Sequence, residues 1–401
     1  MTPTFKKRLF WIGAVCLILP ALLEAYLLMP FPGSQDLEAI KLTYYLEKLI
    51  PASRIIGLLL LAIPAWSFIT QGSNKQKGLV GIIVLVAIVL YYFTDVSYRA
   101  EVMFKEPEKI QFATQKDSKV PDSLVVMTVV NGSIAKAYPI KFVGYHHKIQ
   151  DNVGDTPVLI TYCTMCRTGL VFSPIVDGKK QIFRLVGARH YNAVIEDSDT
   201  KSWWYQATGD AAVGAQEGKK LDIIPSEQMT LKAFFAQYPD GLVFQPDNTF
   251  SEEYDELKTY DRRQKMDEDS LTNPNKFWDK SWILGVTIEN KNKAYAWRSL
   301  PPVLNDKIGN TSFVIVLEDD RHSFHVFNRE IDGKILNFVS ETSGFKDKET
   351  YSIWNDRGEC IEGALKGKKL AKIQAYQEYL RAWKQFHKPT EIWDYDNLKS
   401  R

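Results

Sequence analysis

The chain has 401 residues, 45% of them apolar, and a formal charge of +2, enough length for two average domains or one large one. No Lys/Arg block or basic stripe stands out, which argues against nucleic acid as a ligand. The averages conceal a split: the first 99 residues hold nearly all the long apolar runs, and the remainder has the mixed, charged, aromatic-rich composition of an ordinary folded domain.

Three apolar stretches, at about residues 9–29, 54–71 and 78–95, are candidates to cross a lipid bilayer. A buried core helix is the soluble alternative for each. Lys6, Lys7 and Arg8 precede the first stretch, and Lys75 and Lys77 lie between the second and third. The positive-inside tendency makes both basic ends cytoplasmic and releases the chain on the non-cytoplasmic side of the plasma (inner) membrane. Tyr91, Tyr92 and Phe93 then fit an interfacial aromatic belt. The first span lacks a small-x-small cleavage site and holds Glu24, which favours an anchor over a cleaved signal peptide. Glu24 sits near the outer end, where it reaches head groups instead of marking a site in hydrocarbon. Cys16 also falls within this span. Residues 31–53 carry Leu37, Ile40, Tyr44 and Leu49 among charges, a pattern that suits a short helix on the outer surface.

Residues 100–120 read as a linker. Residues 125–130 and 135–139 flank Asn131-Gly132, a hairpin signal because Asn-Gly supplies the positive φ angles of a two-residue turn. A β-rich run follows at 157–162. Residues 169–174 and 181–186 flank Asp177-Gly178 as a second hairpin. Residues 231–238 and 375–386 have helical spacing, with Pro239 or Pro389 just beyond. Residues 248–282 are rich in charge, carry Asn273-Pro274, and read as a connector. Residues 390–401 form a tail.

The soluble part matches itself in order along the chain. Lys136-Ala137-Tyr138 recurs as Lys293-Ala294-Tyr295, Val171-Phe172 as Val326-Phe327, and Asp177-Gly178-Lys179 as Asp332-Gly333-Lys334. Later, Gly218-Lys219-Lys220-Leu221 recurs as Gly367-Lys368-Lys369-Leu370. The predicted architecture is a membrane-anchored α+β protein. Three N-terminal transmembrane helices (1–99) precede a β-rich soluble domain made of two duplicated lobes, 121–247 and 283–389, packed together about a pseudo-twofold relation.

The dense chemical signal is Cys163-Thr164-Met165-Cys166, placed after the β-rich run. Two thiols at this spacing can close a disulfide, exchange electrons, or supply half of a tetrahedral metal site. The following Thr168-Gly169-Leu170 resembles a turn into another strand and weakens an analogy to thioredoxin. No second CxxC follows to complete a zinc knuckle. A structural disulfide, natural in an oxidising compartment, is the bland alternative. In the second copy the cysteines align with Glu318 and Arg321, so the same loop is built there without sulfur. The first copy also gains six residues in the region of Arg189, His190, Tyr191 and Asn192. These asymmetries predict one site in which Arg189 or His190 stabilises a thiolate, or Cys163, Cys166 and His190 ligate copper or zinc. A metal-free redox pair fits equally, and enzyme or not stays open.

Other candidates rank lower. His146-His147 is expected to face solvent, and Trp203-Trp204 and Trp354 to fill the core. His322 and His325, three apart on a presumed strand, do not share a face. Cys360 aligns with Ala211 and reads as a small buried residue. No phosphate-cradling loop, GxSxG elbow or HExxH pair occurs. The expected partners are the bilayer and an extracytoplasmic protein or small molecule.

The run from Asp155 through Cys166, then Val171-Phe172, Ser202-Trp203-Trp204-Tyr205-Gln206, and Thr208-Gly209-Asp210-Ala211 with Gly214 and Gly218, resembles the bacterial family catalogued as domain of unknown function 3179. The similarity covers roughly residues 121–389. Thr164-Met165 and Arg167-Thr168 depart from the Pro-Leu and Gly-Ser or Gly-Thr of that pattern, and the two cysteines match it. The resemblance implies domain limits and the importance of Cys163 and Cys166, and no reaction.

Overall fold

The computed structural model describes residues 2–261, 280–342 and 344–393; Asn273-Pro274 lies outside the described residues. Three helices are long and apolar enough to cross a membrane: α1 (Pro3–Leu28), α2 (Ile40–Gln71), and α3 (Asn74–Tyr91), which runs on as π-helix through Tyr92–Ser97. Large apolar side chains such as Leu59, Trp66 and Leu85 stand outward, as a surface facing lipid requires. Gly13 and Gly57 let α1 and α2 touch backbone to backbone, since a Cβ on Gly13 would meet the Gly57 carbonyl at 2.9 Å. The separate surface helix expected within residues 31–53 is instead the start of α2, which begins at Ile40 and continues through Pro51 without a break.

The chain divides into two compact units: Met1–Lys105 with Phe183–Tyr205 and Asp210–Lys220, and Glu106–Ile182 with Gln206–Gly209 and Leu221–Arg401. In the first, the helices share a unit with a four-stranded sheet ordered Ala211–Val213, Trp203–Tyr205, Asn192–Asp197, Phe183–Arg189. Leu28 and Tyr44 from the helical part join Val186, Val194 and Trp203 in one apolar cluster.

The second unit is β-rich. Its five-stranded sheet runs Phe112–Ala113, Leu242–Phe244, Ile134–Pro139, Val125–Asn131, Ser226–Thr230. Its four-stranded sheet runs Ala375–Tyr379, Trp282–Ile288, Lys291–Ala296, Thr390–Trp393. The Asn131-Gly132 hairpin forms in the expected register, Val126 opposite Pro139 and Asn131 opposite Ile134. The second expected hairpin does not. Thr168–Phe172 pairs with Thr156–Cys163, Phe183–Arg189 lies in another sheet, and Asp177-Gly178 joins two-residue strands. Pro174, which has no N–H for a ladder, follows the end of the first of these strands. The expected helix over 375–386 also divides: Ala375–Tyr379 is a strand paired with Trp282–Ile288, and only Leu380–Phe386 is helical. Tyr376 and Tyr379 suit a pleated edge, and pairing overrides the helical spacing.

Trp383, on that helix, lies fully buried against Gly285. A Cβ there would fall 2.1 Å from the indole. Gly285→Ala is expected to cost about 3 kcal/mol by overpacking, read as a lowered unfolding midpoint in denaturant.

Candidate functional site

Strand Thr156–Cys163 ends on the first cysteine, and Thr168–Phe172 starts two residues after the second. The turn closes when the Arg167 N–H donates to the Cys163 carbonyl at 2.8 Å. Arg167 reaches the required geometry at φ 63°, a left-handed conformation costly for a residue with a Cβ. Four side-chain hydrogen bonds hold it there. Its guanidinium donates to the Tyr260 carbonyl at 3.0 Å, to the Asp261 carbonyl at 2.7 Å, and twice to Gln377 Oε1 at 3.1 and 3.0 Å. It also lies 3.3 Å from the centre of the Trp282 ring, a cation–π contact. Tyr260 OH completes the lid by donating to the Thr164 carbonyl at 2.9 Å.

Both cysteines are thiols, not bridged, with no solvent-exposed surface. Cys166 Sγ lies 3.7 Å from the Cys163 carbonyl. The surroundings are polar. Strand Ala375–Tyr379 crosses the loop, with the Tyr379 N–H donating to the Cys166 carbonyl at 2.8 Å. From that strand Glu378 enters the interior, completely buried. Thr168 Oγ1 donates to Glu378 Oε1 at 2.7 Å, and Glu378 Oε2 has no hydrogen-bond partner among the described residues. His387 Nε2, the nearest imidazole, is 3.9 Å away and bonds Tyr376 OH at 3.0 Å. Burial, reinforced by the neighbouring Cys166, drives the Glu378 carboxyl well above the usual carboxylate range.

Arg189 and His190 belong to the unit that contains the helices, whereas Cys163 and Cys166 belong to the β-rich unit. Arg189 donates to the carbonyls of Leu27 at 2.8 Å, Ser34 at 3.1 Å, and Leu37. His190 Nδ1 lies 2.9 Å from the Gln35 carbonyl, and Nε2 lies 3.3 Å from Glu38. Among the described residues, no three His, Cys, Asp or Glu side chains gather as a metal site.

A second buried cluster lies beside the turn between strands Thr311–Leu317 and Phe324–Asn328. His325 is fully buried, with Nδ1 2.9 Å from Glu227 and Nε2 2.8 Å from Glu318. Lys372 also pairs with Glu227. Against the cost of burial, the two carboxylates raise the His325 pKa to about 9, and Glu227 falls to about 2. His322 lies outside the strand, which begins at Phe324, so the expected shared strand does not form, and His325 alone meets both carboxylates. The expectation for His146 and His147 is overturned outright: both are buried, His146 Nε2 lying 2.6 Å from Tyr254 OH and His147 Nδ1 3.0 Å from the Tyr145 carbonyl. Desolvation lowers His147 to about 4, so it is neutral at physiological pH. Trp203, Trp204, Trp354 and Cys360 are buried as expected.

The fold and this loop define a β-rich protein with three N-terminal helices able to cross a membrane and a buried dithiol facing a buried carboxyl. The chain belongs to the family described as protein of unknown function, DUF3179, whose profile matches residues 104–390. No curated protein and no solved structure matches it.

Proposed function

We infer that this is a membrane-tethered extracytoplasmic protein whose Cys163–Cys166 pair is a proton-coupled redox dithiol, with Glu378 as the group that holds and passes the proton. The observation that carries this reading is the unpartnered Glu378 Oε2 beside Cys166. A buried carboxyl oxygen without a hydrogen bond is costly, and a merely structural bridge has no use for one. The balanced step is an exchange: Cys163 and Cys166 lose two protons and close one S–S bond, and the S–S bond of a partner disulfide breaks into two thiols. The basic residues flanking the first span and separating the second from the third support the topology, since they favour the cytoplasm.

Two matching sets of contacts support the reading as duplicated lobes. Lys136 and Tyr138 both bond Asp151 at 2.7 Å; Lys293 and Tyr295 bond Asp306 at 2.9 and 2.7 Å. Asp197 accepts from the Thr200 N–H at 2.6 Å and from Trp204 Nε1 at 3.0 Å, and Asp347 does the same for Thr350 and Trp354. One copy of the shared turn is then equipped with thiols and a carboxyl acid, the other with an imidazole between carboxylates.

Cys166→Ser should leave Cys163 able to attack a disulfide but unable to resolve it. Incubated with a small aromatic disulfide, the full chain is expected to accumulate a mixed disulfide at Cys163, detectable by mass. Copper or zinc bound stoichiometrically and lost on Cys163→Ser or His190→Ala would favour the metal reading instead. A bridge inert to mild reductant would favour a structural disulfide.

A further inference from the structure

The ends of α1 and α3 and the middle of α2 surround a cavity of about 940 Å³ within the helix-bearing unit, near the upper size of small-molecule sites. Leu22, Leu28, Leu90 and Phe93 are among its apolar walls. Its rim is charged, and the charges do not balance. Arg54 forms a bidentate pair with Asp95 at 2.7 and 2.5 Å. Arg184 pairs with Glu47 at 2.8 Å and with Glu196 at 2.8 and 2.9 Å. Arg99 pairs with Glu101 at 3.0 Å. Every guanidinium at the cavity therefore has a carboxylate already. Glu24 lines the same cavity and has no hydrogen bond or ion pair among the described residues.

An anionic head group would add to the negative excess, and an alkyl chain alone would leave the Glu24 carboxylate unpaired against apolar walls, which is expensive. A cationic donor joined to an apolar chain satisfies both the wall and the carboxylate. We propose that this cavity binds one aminolipid with a primary ammonium head, such as phosphatidylethanolamine. The ammonium sits on Glu24, the phosphodiester stays out in the head-group layer, and the acyl chain follows the apolar walls. The occupant couples the ends of the three helices to Arg184, and so to strand Phe183–Arg189.

The test uses the full chain in nanodiscs of phosphatidylethanolamine, phosphatidylcholine or phosphatidylglycerol, with lipids that survive detergent extraction counted by native mass spectrometry. The ethanolamine lipid is expected to be retained over the other two by about tenfold, roughly 1.4 kcal/mol. Glu24→Gln should erase that preference, and Leu90→Trp should lower retention of every lipid. Should Glu24→Gln fail to fold, the N-methylated series decides on the unaltered protein, with retention falling stepwise from primary to quaternary amine. Equal retention of the three lipids, a preference unchanged by Glu24→Gln, or no fall on methylation overturns the proposal. Displacement of the lipid by millimolar free ethanolamine would show that the amine alone is the ligand and overturn the amphiphile.

Discussion

Glu378→Gln is expected to slow thiol–disulfide exchange at Cys163 and Cys166 by about 100-fold near neutral pH, the lower range of a positioned general acid–base group. Glutamine is close in shape and retains a carbonyl to accept from Thr168 Oγ1, so the turn should keep its geometry. What it lacks is the exchangeable proton. The pH dependence carries the sharper signature. A carboxyl whose folded pKa lies above 4.5 withdraws stability as pH rises from 4.5 through the folded value, because the folded state then binds more protons than the unfolded one. Glu378→Gln removes that slope, so the variant should be as stable as the parent at pH 5 and more stable at pH 8. Stopped-flow exchange with a chromogenic disulfide and unfolding titrations at both pH values check the two halves. A variant that exchanges at the parental rate would leave Glu378 outside the chemistry.

His325→Leu should destabilise the β-rich unit by about 3–5 kcal/mol, the cost of breaking a buried ion pair by removing one partner. Glu227 and Glu318 would then face each other's charge with Lys372 still paired to Glu227. His325 rises from 6.5 to about 9, so its contribution is complete below pH 6.5 and disappears as pH climbs through 9. Glu227 falls from 4.5 to about 2, so its contribution is complete above pH 4.5 and disappears as pH drops through 2. The cluster therefore stabilises most between pH 4.5 and 6.5. Chemical denaturation across roughly pH 3–10 should show the parental maximum there and a flatter profile in the variant. A difference below about 1 kcal/mol near pH 6 would mean that the carboxylates rearrange around the loss.

The sequence shows the parts of this molecule that depend on local pattern. Long apolar runs mark the helices, Asn131-Gly132 marks a hairpin, and the spacing of Cys163 and Cys166 singles out the loop on which the proposed function rests. What eludes it is set by contacts far along the chain. Ala375–Tyr379 has helical spacing and becomes a strand because Trp282–Ile288 offers an edge. Only then does Glu378 point inward to Thr168, 210 residues earlier. His146 and His147 lie in a polar stretch, and His146 is covered by the aromatic rings of Phe250 and Tyr254. The burial of Glu378 is tertiary, and no local pattern signals it.

The reduction potential of the Cys163–Cys166 pair in the intact chain decides whether it is a redox dithiol. Equilibration against graded dithiol and disulfide buffers, followed by alkylation and mass analysis, should give one two-electron transition. The expected midpoint lies above about −250 mV, in the range of exchange-active pairs, with a pH slope that changes in Glu378→Gln. A midpoint below about −300 mV, or thiols that stay reduced in every buffer, would contradict it.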